Sequence, residues 1–241
     1  MKSLNILLIG FGRMGHEIKQ VAEERQHNVF LTIDNDNQDD FSPENLKKAD
    51  VAIEFSVPDA AYDNIMKCMK NNVPVVSGTT GWLDKFYDIR KYCLENESSF
   101  FYASNFSIGV NLLFNVNRHL AKMMDQYSNY QVSIEETHHK HKLDAPSGTA
   151  VTIAESIIEE MNRINEWKEE STDSEEAIPV KSIRKNEIPG IHKVTYESEF
   201  DTIEIKHSAK SRKGFALGAI VAAEYIYNKS GMFSMDDLLN T

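Results

Sequence analysis

The stretch from Glu135 to Ala150 reads Glu-Glu-Thr-His-His-Lys-His-Lys-Leu-Asp-Ala-Pro-Ser-Gly-Thr-Ala, so five consecutive His or Lys residues, His138 to Lys142, sit in a chain of formal net charge −11. A concentrated cationic island in an acidic protein suits an anionic ligand. Pro146-Ser147-Gly148-Thr149, followed by a helical run from Ala150, reads as a helix start with hydroxyls available for capping and bare N–H groups able to receive a carboxylate. A substrate with two carboxylates could be held at one end by this helix start and at the other by His139 and Lys142. A hydride acceptor also needs a proton source, and an imidazole, with an unperturbed pKa of about 6.5, is the usual one. Two plainer readings stand beside this one. Histidine clusters bind zinc, but no cysteine accompanies these and their spacing is not that of a closed site, so no metal is expected. The other is a solvated basic turn with no part in chemistry.

A second motif supplies the other half of a redox reaction. Gly10-Phe11-Gly12-Arg13-Met14-Gly15 matches G-x-G-x-x-G directly after a predicted strand and at the start of a predicted helix. The first glycine permits the tight turn, the second lets the backbone approach a pyrophosphate, and the third allows close contact between helix and strand. Asp34 ends the second predicted strand, about 20 residues beyond the motif, where an acidic side chain accepts hydrogen bonds from the adenosine ribose. No Arg or Lys follows it before Lys47, so NADH is expected to be preferred, with NADPH possible. Gly78-Thr79-Thr80-Gly81 and Ala103-Ser104-Asn105-Phe106 follow later predicted strands at the same carboxyl edge, where open α/β sheets place ligands, and are expected to wall the cofactor or active site.

The elements that must position these residues follow from periodicity. Leu4 to Ile9, Val29 to Ile33, Val51 to Phe55, Val73 to Ser77 and Phe100 to Tyr102 read as five buried strands, with helices over 13–26, 58–71 and 82–96 and a polar, Asp-rich loop over 35–50. This alternation predicts an α/β fold, a Rossmann-type doubly wound parallel sheet. After Asn105 the rhythm changes: 108–127 reads as one long amphipathic helix, and Tyr130 to Glu136, Gly190 to Ser198 and Thr202 to Ser208 as half-solvated strands, with the basic run in a loop. Residues 163–178 read as an exposed connection, and the small apolar run from Gly214 as a helix returning to the first domain. The expected organisation is a dinucleotide-binding domain at 1–106, completed by 213–241, and a smaller α+β domain for substrate binding and oligomerisation at 107–212.

Bulk properties narrow the partners. A hydrophobic fraction of 41% beside 26% charged residues fits an ordinary globular fold. The acidic balance opposes nucleic acid and anionic membrane, both of which require a basic face. Cys68 and Cys93, the only two cysteines, form no metal-like spacing, which fits a reducing cytoplasm. The N-terminus reads as a first strand, not a signal peptide, and no apolar stretch approaches the roughly 20 residues that cross a bilayer.

The string His138-His139-Lys140-His141-Lys142-Leu143-Asp144-Ala145-Pro146-Ser147-Gly148-Thr149-Ala150 resembles the signature loop of the 4-hydroxy-tetrahydrodipicolinate (dihydrodipicolinate) reductase family. Gly10 to Gly15, Gly78 to Gly81, Ala103 to Asn111 and Arg212 to Ala219 resemble further family motifs in the same order, so the likeness spans nearly the whole chain. It implies reduction by NADH or NADPH at C4 of a cyclic conjugated imine, formed from the 4-hydroxy substrate by loss of water, in diaminopimelate and lysine biosynthesis. It also implies a homotetramer. Under it, His138 corresponds to the proton donor/acceptor, Lys142 to a second proton donor and substrate contact, and His139, Gly148 and Thr149 to carboxylate-binding positions. The sequence departs from the family pattern where Arg184 is followed by Lys185-Asn186-Glu187-Ile188-Pro189 before Gly190-Ile191-His192. Two rivals carry less of the sequence: another two-domain Rossmann dehydrogenase acting on an amino or sugar substrate, which would not need so many cations, and a non-catalytic NAD sensor, for which no partner-binding module is evident.

Overall fold

The computed structural model describes residues 2–170 and 174–240. The chain forms two compact units, Met1–Ile108 with Arg212–Thr241, and Gly109–Ser211.

In the first unit the chain runs β1 (Asn5–Ile9), α1 (Arg13–Glu24), β2 (Asn28–Ile33), α2 (Pro43–Leu46), β3 (Val51–Glu54), α3 (Pro58–Lys70), β4 (Val75–Ser77), α4 (Phe86–Glu95) and β5 (Ser99–Tyr102). The strands form one parallel sheet in the order β11-β5-β4-β3-β1-β2, where β11 is Gly231–Phe233 near the C-terminus. The apolar run of β1 explains why both faces must be covered. Ile6 and Leu8 pack with Ile18, Val21 and Ala22 of α1, whereas Leu7 and Ile9 pack on the opposite face with Ala61 and Ile65 of α3 and Ile89 of α4. This is the expected doubly wound sheet. Two parts of it differ from the sequence reading. A sixth strand, β11, extends the edge beyond β5. Residues 35–50 are not a plain loop: Asp34 caps a 3-10 turn over Asn35–Asp40, Ser42 caps α2, and Phe41 and Leu46 are buried.

The second unit begins with α5 (Ile108–Met124) and continues through β6 (Gln131–His138), α6 (Gly148–Glu160), β7 (Glu166–Glu169), β8 (Ala177–Arg184), β9 (Ile191–Glu197) and β10 (Thr202–Ser208). The sheet is mixed, in the order β10-β9-β6-β8-β7, antiparallel on the β9 side of β6 and parallel on the β8 side. Val132 and Ile134 of β6, Ile178 and Val180 of β8, and Val194 and Tyr196 of β9 share one face, and Ile153, Ala154 and Ile157 of α6 with Leu113, Ala121 and Met124 of α5 cover it. The Tyr196 hydroxyl donates to Asn117 Oδ1 at 3.1 Å inside this core. The supposed exposed connection over 163–178 holds β7 and the start of β8; its residues 171–173 lie outside the described residues. The basic run is likewise not wholly a loop, because β6 continues two residues past Glu136 and His138 pairs with Arg184 of β8.

Back in the first unit, α7 (Lys213–Ile226) packs Ala216, Ala219, Ile220 and Ala223 into the α1 side of the core, and α8 (Met235–Leu239) closes the chain. Its small residues are a packing requirement: a Cβ on Gly218 would lie 1.7 Å from the Phe106 carbonyl oxygen.

Candidate active site

At the carboxyl edge of the parallel sheet, where β2 and β3 flank β1 on opposite sides, a pocket is lined by Gly10, Phe11, Gly12, Asp34, Asn35, Gln38, Phe55, Ser56, Val57, Ala60 and Asn64 among others. This is the switch point at which doubly wound sheets bind ligands. The three glycines divide their work as the motif requires. Gly10 has φ +89°, and a Cβ there would meet the Phe55 carbonyl oxygen at 2.2 Å. A Cβ on Gly15 would lie 2.4 Å from Gly10 O, so the third glycine sets how closely α1 approaches the strand end. Gly12 has nothing within 4 Å of its Cβ position, which leaves its backbone open to a phosphate. Gly12 is also the N-cap of α1, with no side-chain cap and no acidic residue in the first turn to compete with an anion. These residues fit a dinucleotide.

Under the pocket lies Glu54, fully buried. Its carboxylate accepts from Ser56 N at 3.0 Å, Ser77 Oγ at 2.7 Å, Thr79 Oγ1 at 2.9 Å and the Ser56 hydroxyl. Asn64 Nδ2 donates to Ser56 Oγ at 3.2 Å. The network fixes the turn after β3 that carries the pocket residues Phe55 and Ser56.

In the second unit the inner face of the sheet changes from apolar to ionisable at one end, and strand register explains which residues meet. Val132, Ile134, Glu136 and His138 alternate onto the same face of β6. Glu136 lies opposite Ser182 of β8 and His192 of β9, and His138 lies opposite Arg184. Glu136 is 0% exposed. Its Oε2 contacts His138 Nδ1 at 2.5 Å, while its Oε1 accepts from Arg184 Nη2 at 2.9 Å and from the Ser147 backbone N–H at 3.2 Å. Burial alone would push this carboxyl up; His138, Ser147, Ser182 and Arg184 together hold it well below the usual carboxylate range. Burial, then the neighbouring His138, pushes His192 down to about 3, so its ring is neutral near pH 7. His192 Nε2 shares a hydrogen bond with Ser147 Oγ at 3.2 Å, and Ser147 Oγ caps α6 by accepting from Ala150 N at 3.2 Å. One buried carboxylate therefore ties an imidazole to a helix N-terminus.

Glu136, His138 and His192 present ligand-type atoms within 4.8 Å of one another. The Arg184 guanidinium on Glu136 Oε1 sets a fixed positive charge against the same carboxylate. Beyond β6, Lys142 Nζ pairs with Asp144 Oδ2 at 2.8 Å, and Arg184 Nη2 also donates to the Asp144 carbonyl at 2.6 Å, which anchors the turn. Gly148 opens α6 with nothing within 4 Å of its Cβ position, and the first turn of α6 holds no acidic residue. Leu143 is 97% exposed.

The structure brings Gly10, Phe11, Gly12 and Asp34 to one pocket, and gathers His138, Lys142, Gly148 and the capping Ser147 around one end of the second sheet. Other expected positions serve as supports. Gly78 lies under the Phe55 ring, Thr79 joins the Glu54 network, and Ala103 and Phe106 are buried in the core, with the Phe106 ring 5.4 Å from that of Phe55. Arg13, Met14, Thr80, Ser104 and Asn105 do not line the pocket. The sequence reading gave no role to Glu136, Arg184, His192, Glu54, Phe55, Ser56, Gln38 or Asn64. The signal for Glu136 was present: the period-2 pattern Val132, Ile134 runs on to Glu136 and His138, which puts two ionisable groups on a core face.

The profile of the dihydrodipicolinate reductase N-terminus matches residues 4–106, and that of the dihydrodipicolinate reductase C-terminus matches 109–239. The chain is 50% identical to the 4-hydroxy-tetrahydrodipicolinate reductase of Christiangramia forsetii over 98% of both chains. It is 38% identical to that of Methanopyrus kandleri over 82% of this chain and 74% of the other. Among solved structures it shares the fold of a dipicolinate-bound dihydrodipicolinate reductase from Paenisporosarcina sp. TG-14, with a TM-score of 0.76 and 22% identity over 98% of this chain and 99% of that one.

Proposed function

The chain belongs to the dihydrodipicolinate reductase family, and we propose that it reduces 4-hydroxy-tetrahydrodipicolinate to tetrahydrodipicolinate and water, with His138 and Lys142 moving the proton. The observation that carries this reading is the buried Glu136, which ties His138 on one side to the start of α6 on the other. A proton donor and an anion-binding helix end are thus held on one support, as a substrate carrying two carboxylates requires.

Loss of water from the 4-hydroxy substrate leaves a conjugated cyclic imine. The glycine cradle would hold the pyrophosphate of a nicotinamide dinucleotide, which when bound would supply hydride to C4 of that ring. Electron density then moves toward C3 and the ring nitrogen, and a proton must arrive at C3. His138 delivers it, and the Lys142 ammonium stabilises the enamine charge as it develops. The N–H groups of Gly148 and Thr149 receive one carboxylate, with no first-turn acid to repel it, and His139 and Lys142 receive the other. Lys142 leaves Asp144 for the substrate, an exchange of one exposed carboxylate partner for another.

NADH is the preferred reductant. Asp34 faces the pocket, and the lining residues include no Lys or Arg to pair with a 2′-phosphate. Cofactor contacts are assigned to Gly10, Phe11, Gly12, Arg13, Met14, Gly15 and Asp34, with Gly78, Thr79, Thr80 and Ala103 to Phe106 as walls and supports. The active species is a cytoplasmic homotetramer. No described helix is long and apolar enough to cross a membrane.

The test is turnover by the purified chain, followed as loss of NADH absorbance with the cyclic substrate. His138→Ala lowers kcat by about a hundredfold or more and leaves NADH binding unchanged. NADH gives a kcat/KM at least about tenfold above that of NADPH, or about 1.4 kcal/mol. An unaffected rate in the His138 variant removes the acid assignment, and a clear NADPH preference removes the cofactor assignment.

A further inference from the structure

Glu136 has a place in the second sheet that packing alone does not require. It sits where the apolar stripe Val132, Ile134 would continue, and it is fully buried. A buried carboxylate is costly unless paired, and Arg184 with the Ser147 N–H already occupies Oε1. The other oxygen, Oε2, is turned to His138 Nδ1 at 2.5 Å. Every strand beside β6 contributes to holding this geometry: Arg184 comes from β8, and His192, neutral and with its ring centroid 5.1 Å from that of His138, comes from β9. Nε2 of His138 points toward Gly190, whose absent side chain leaves the room, since a Cβ there would stand 3.1 Å away.

We propose that Glu136 is the positioning residue of the proton-transfer step: it holds His138 with Nδ1–H turned inward, leaves Nε2 as the atom that exchanges the proton, and locks that ring to the carboxylate-binding start of α6. The inference rests on the reading of His138 as the acid. A histidine has two ring nitrogens, and which one carries the exchangeable proton is set by the partner of the other. Here that partner is an anion shielded from water, so the imidazolium formed at each cycle is stabilised where it stands. The charged and polar groups around the His138 ring are Glu136 on its own strand, Arg184 on β8 and His192 on β9.

Glu136→Gln keeps the shape and removes the charge. The expected result is a kcat lowered by about tenfold to a hundredfold, a substrate KM changed by less than about threefold, and unchanged NADH affinity. Glu136→Asp recovers part of the rate. On the unmodified protein, 15N spectra of the imidazoles, with His138 assigned by its loss in His138→Gln, show the neutral His138 ring as the Nδ1–H tautomer. Wild-type turnover with an unchanged kcat in Glu136→Gln overturns the inference and leaves the function standing. So does an Nε2–H tautomer in the wild type, a readout that holds even if the variant does not fold. A wild type that does not turn over the imine overturns the function itself.

Discussion

Replacing Gly12 and Gly15 by alanine, one at a time, separates a glycine kept for a ligand from a glycine kept for the fold. At Gly12 the new methyl meets no protein atom within 4 Å, and φ is −79°, which alanine adopts freely. Alanine is a poorer N-cap than glycine but restricts the unfolded chain, and the two effects are each about 0.5–1 kcal/mol and opposite in sign. The melting temperature of Gly12→Ala therefore stays within about 2 °C of wild type. The methyl instead occupies the approach of the pyrophosphate. Losing one charge-assisted hydrogen bond costs about 1.5–3 kcal/mol, so the Kd for NADH rises about tenfold to a hundredfold. At Gly15 the methyl lies 2.4 Å from Gly10 O, a backbone atom, and the first turn of α1 must move on the order of 1 Å. Overpacking of this kind costs about 1–3 kcal/mol, or a melting temperature lower by roughly 3–9 °C for a unit of this size. NADH titration by fluorescence and a thermal melt on each variant give a two-by-two answer. A Gly12 variant that binds NADH like wild type refutes the close-approach argument, and a Gly15 variant that melts like wild type refutes the packing argument.

Three further outcomes follow from the geometry. His192 binds a proton near 6.5 when unfolded and only near 3 when folded, so the unfolded state binds more protons between those values and stability falls as pH drops through that window. Between pH 6.5 and 5.5, above the range where Glu136 begins to matter, denaturant titrations find the wild type losing on the order of 1 kcal/mol per pH unit from this residue, and His192→Gln a shallower slope. Equal slopes contradict the burial argument. Gly190→Ala presses a methyl against His138 Nε2 and lowers kcat more than it lowers NADH affinity; a normal kcat would show that the ring has room to move. Glu54→Gln replaces an acceptor of four hydrogen bonds with a mixed donor and acceptor, loosens Ser56 and Thr79, and weakens NADH binding with His138 chemistry intact, measured as a rise in the NADH KM at near-normal kcat.

What could be read in the sequence was what local periodicity encodes. The β1 run and the glycine triplet placed the first turn of the sheet to within a residue, because an unbroken apolar strand and three small residues have few other uses. The strands β7 and β8 were hidden for a physical reason. Acidic residues precede β8, Pro179 interrupts it, and its inner face passes from Ile178 and Val180 to Ser182 and Arg184, a pattern that local rules assign to an exposed segment. Its apolar residues are buried by β6, β9 and the helices, and Arg184 at its end is paired with Glu136, 48 residues away. The same holds for the site. His138, Lys142 and the α6 start stand out as a cationic run beside a capping motif. Glu136, Arg184 and His192 become partners only through the register of three strands, which no single stretch of sequence states. Gln38 and Asn64 reach the nucleotide pocket for a similar reason, each carried there by a turn or helix that follows a different strand.

The central claim is that this chain passes hydride to C4 of the cyclic imine while His138 supplies the proton to C3. Turnover with NADH carrying deuterium at both nicotinamide C4 positions, followed by mass spectrometry and NMR of the product, tests it directly. The account predicts one deuterium, at product C4, with solvent hydrogen at C3 and a rate that collapses in His138→Ala. Oxidation of the NADH without deuterium in the tetrahydrodipicolinate, or label at any other carbon, contradicts it.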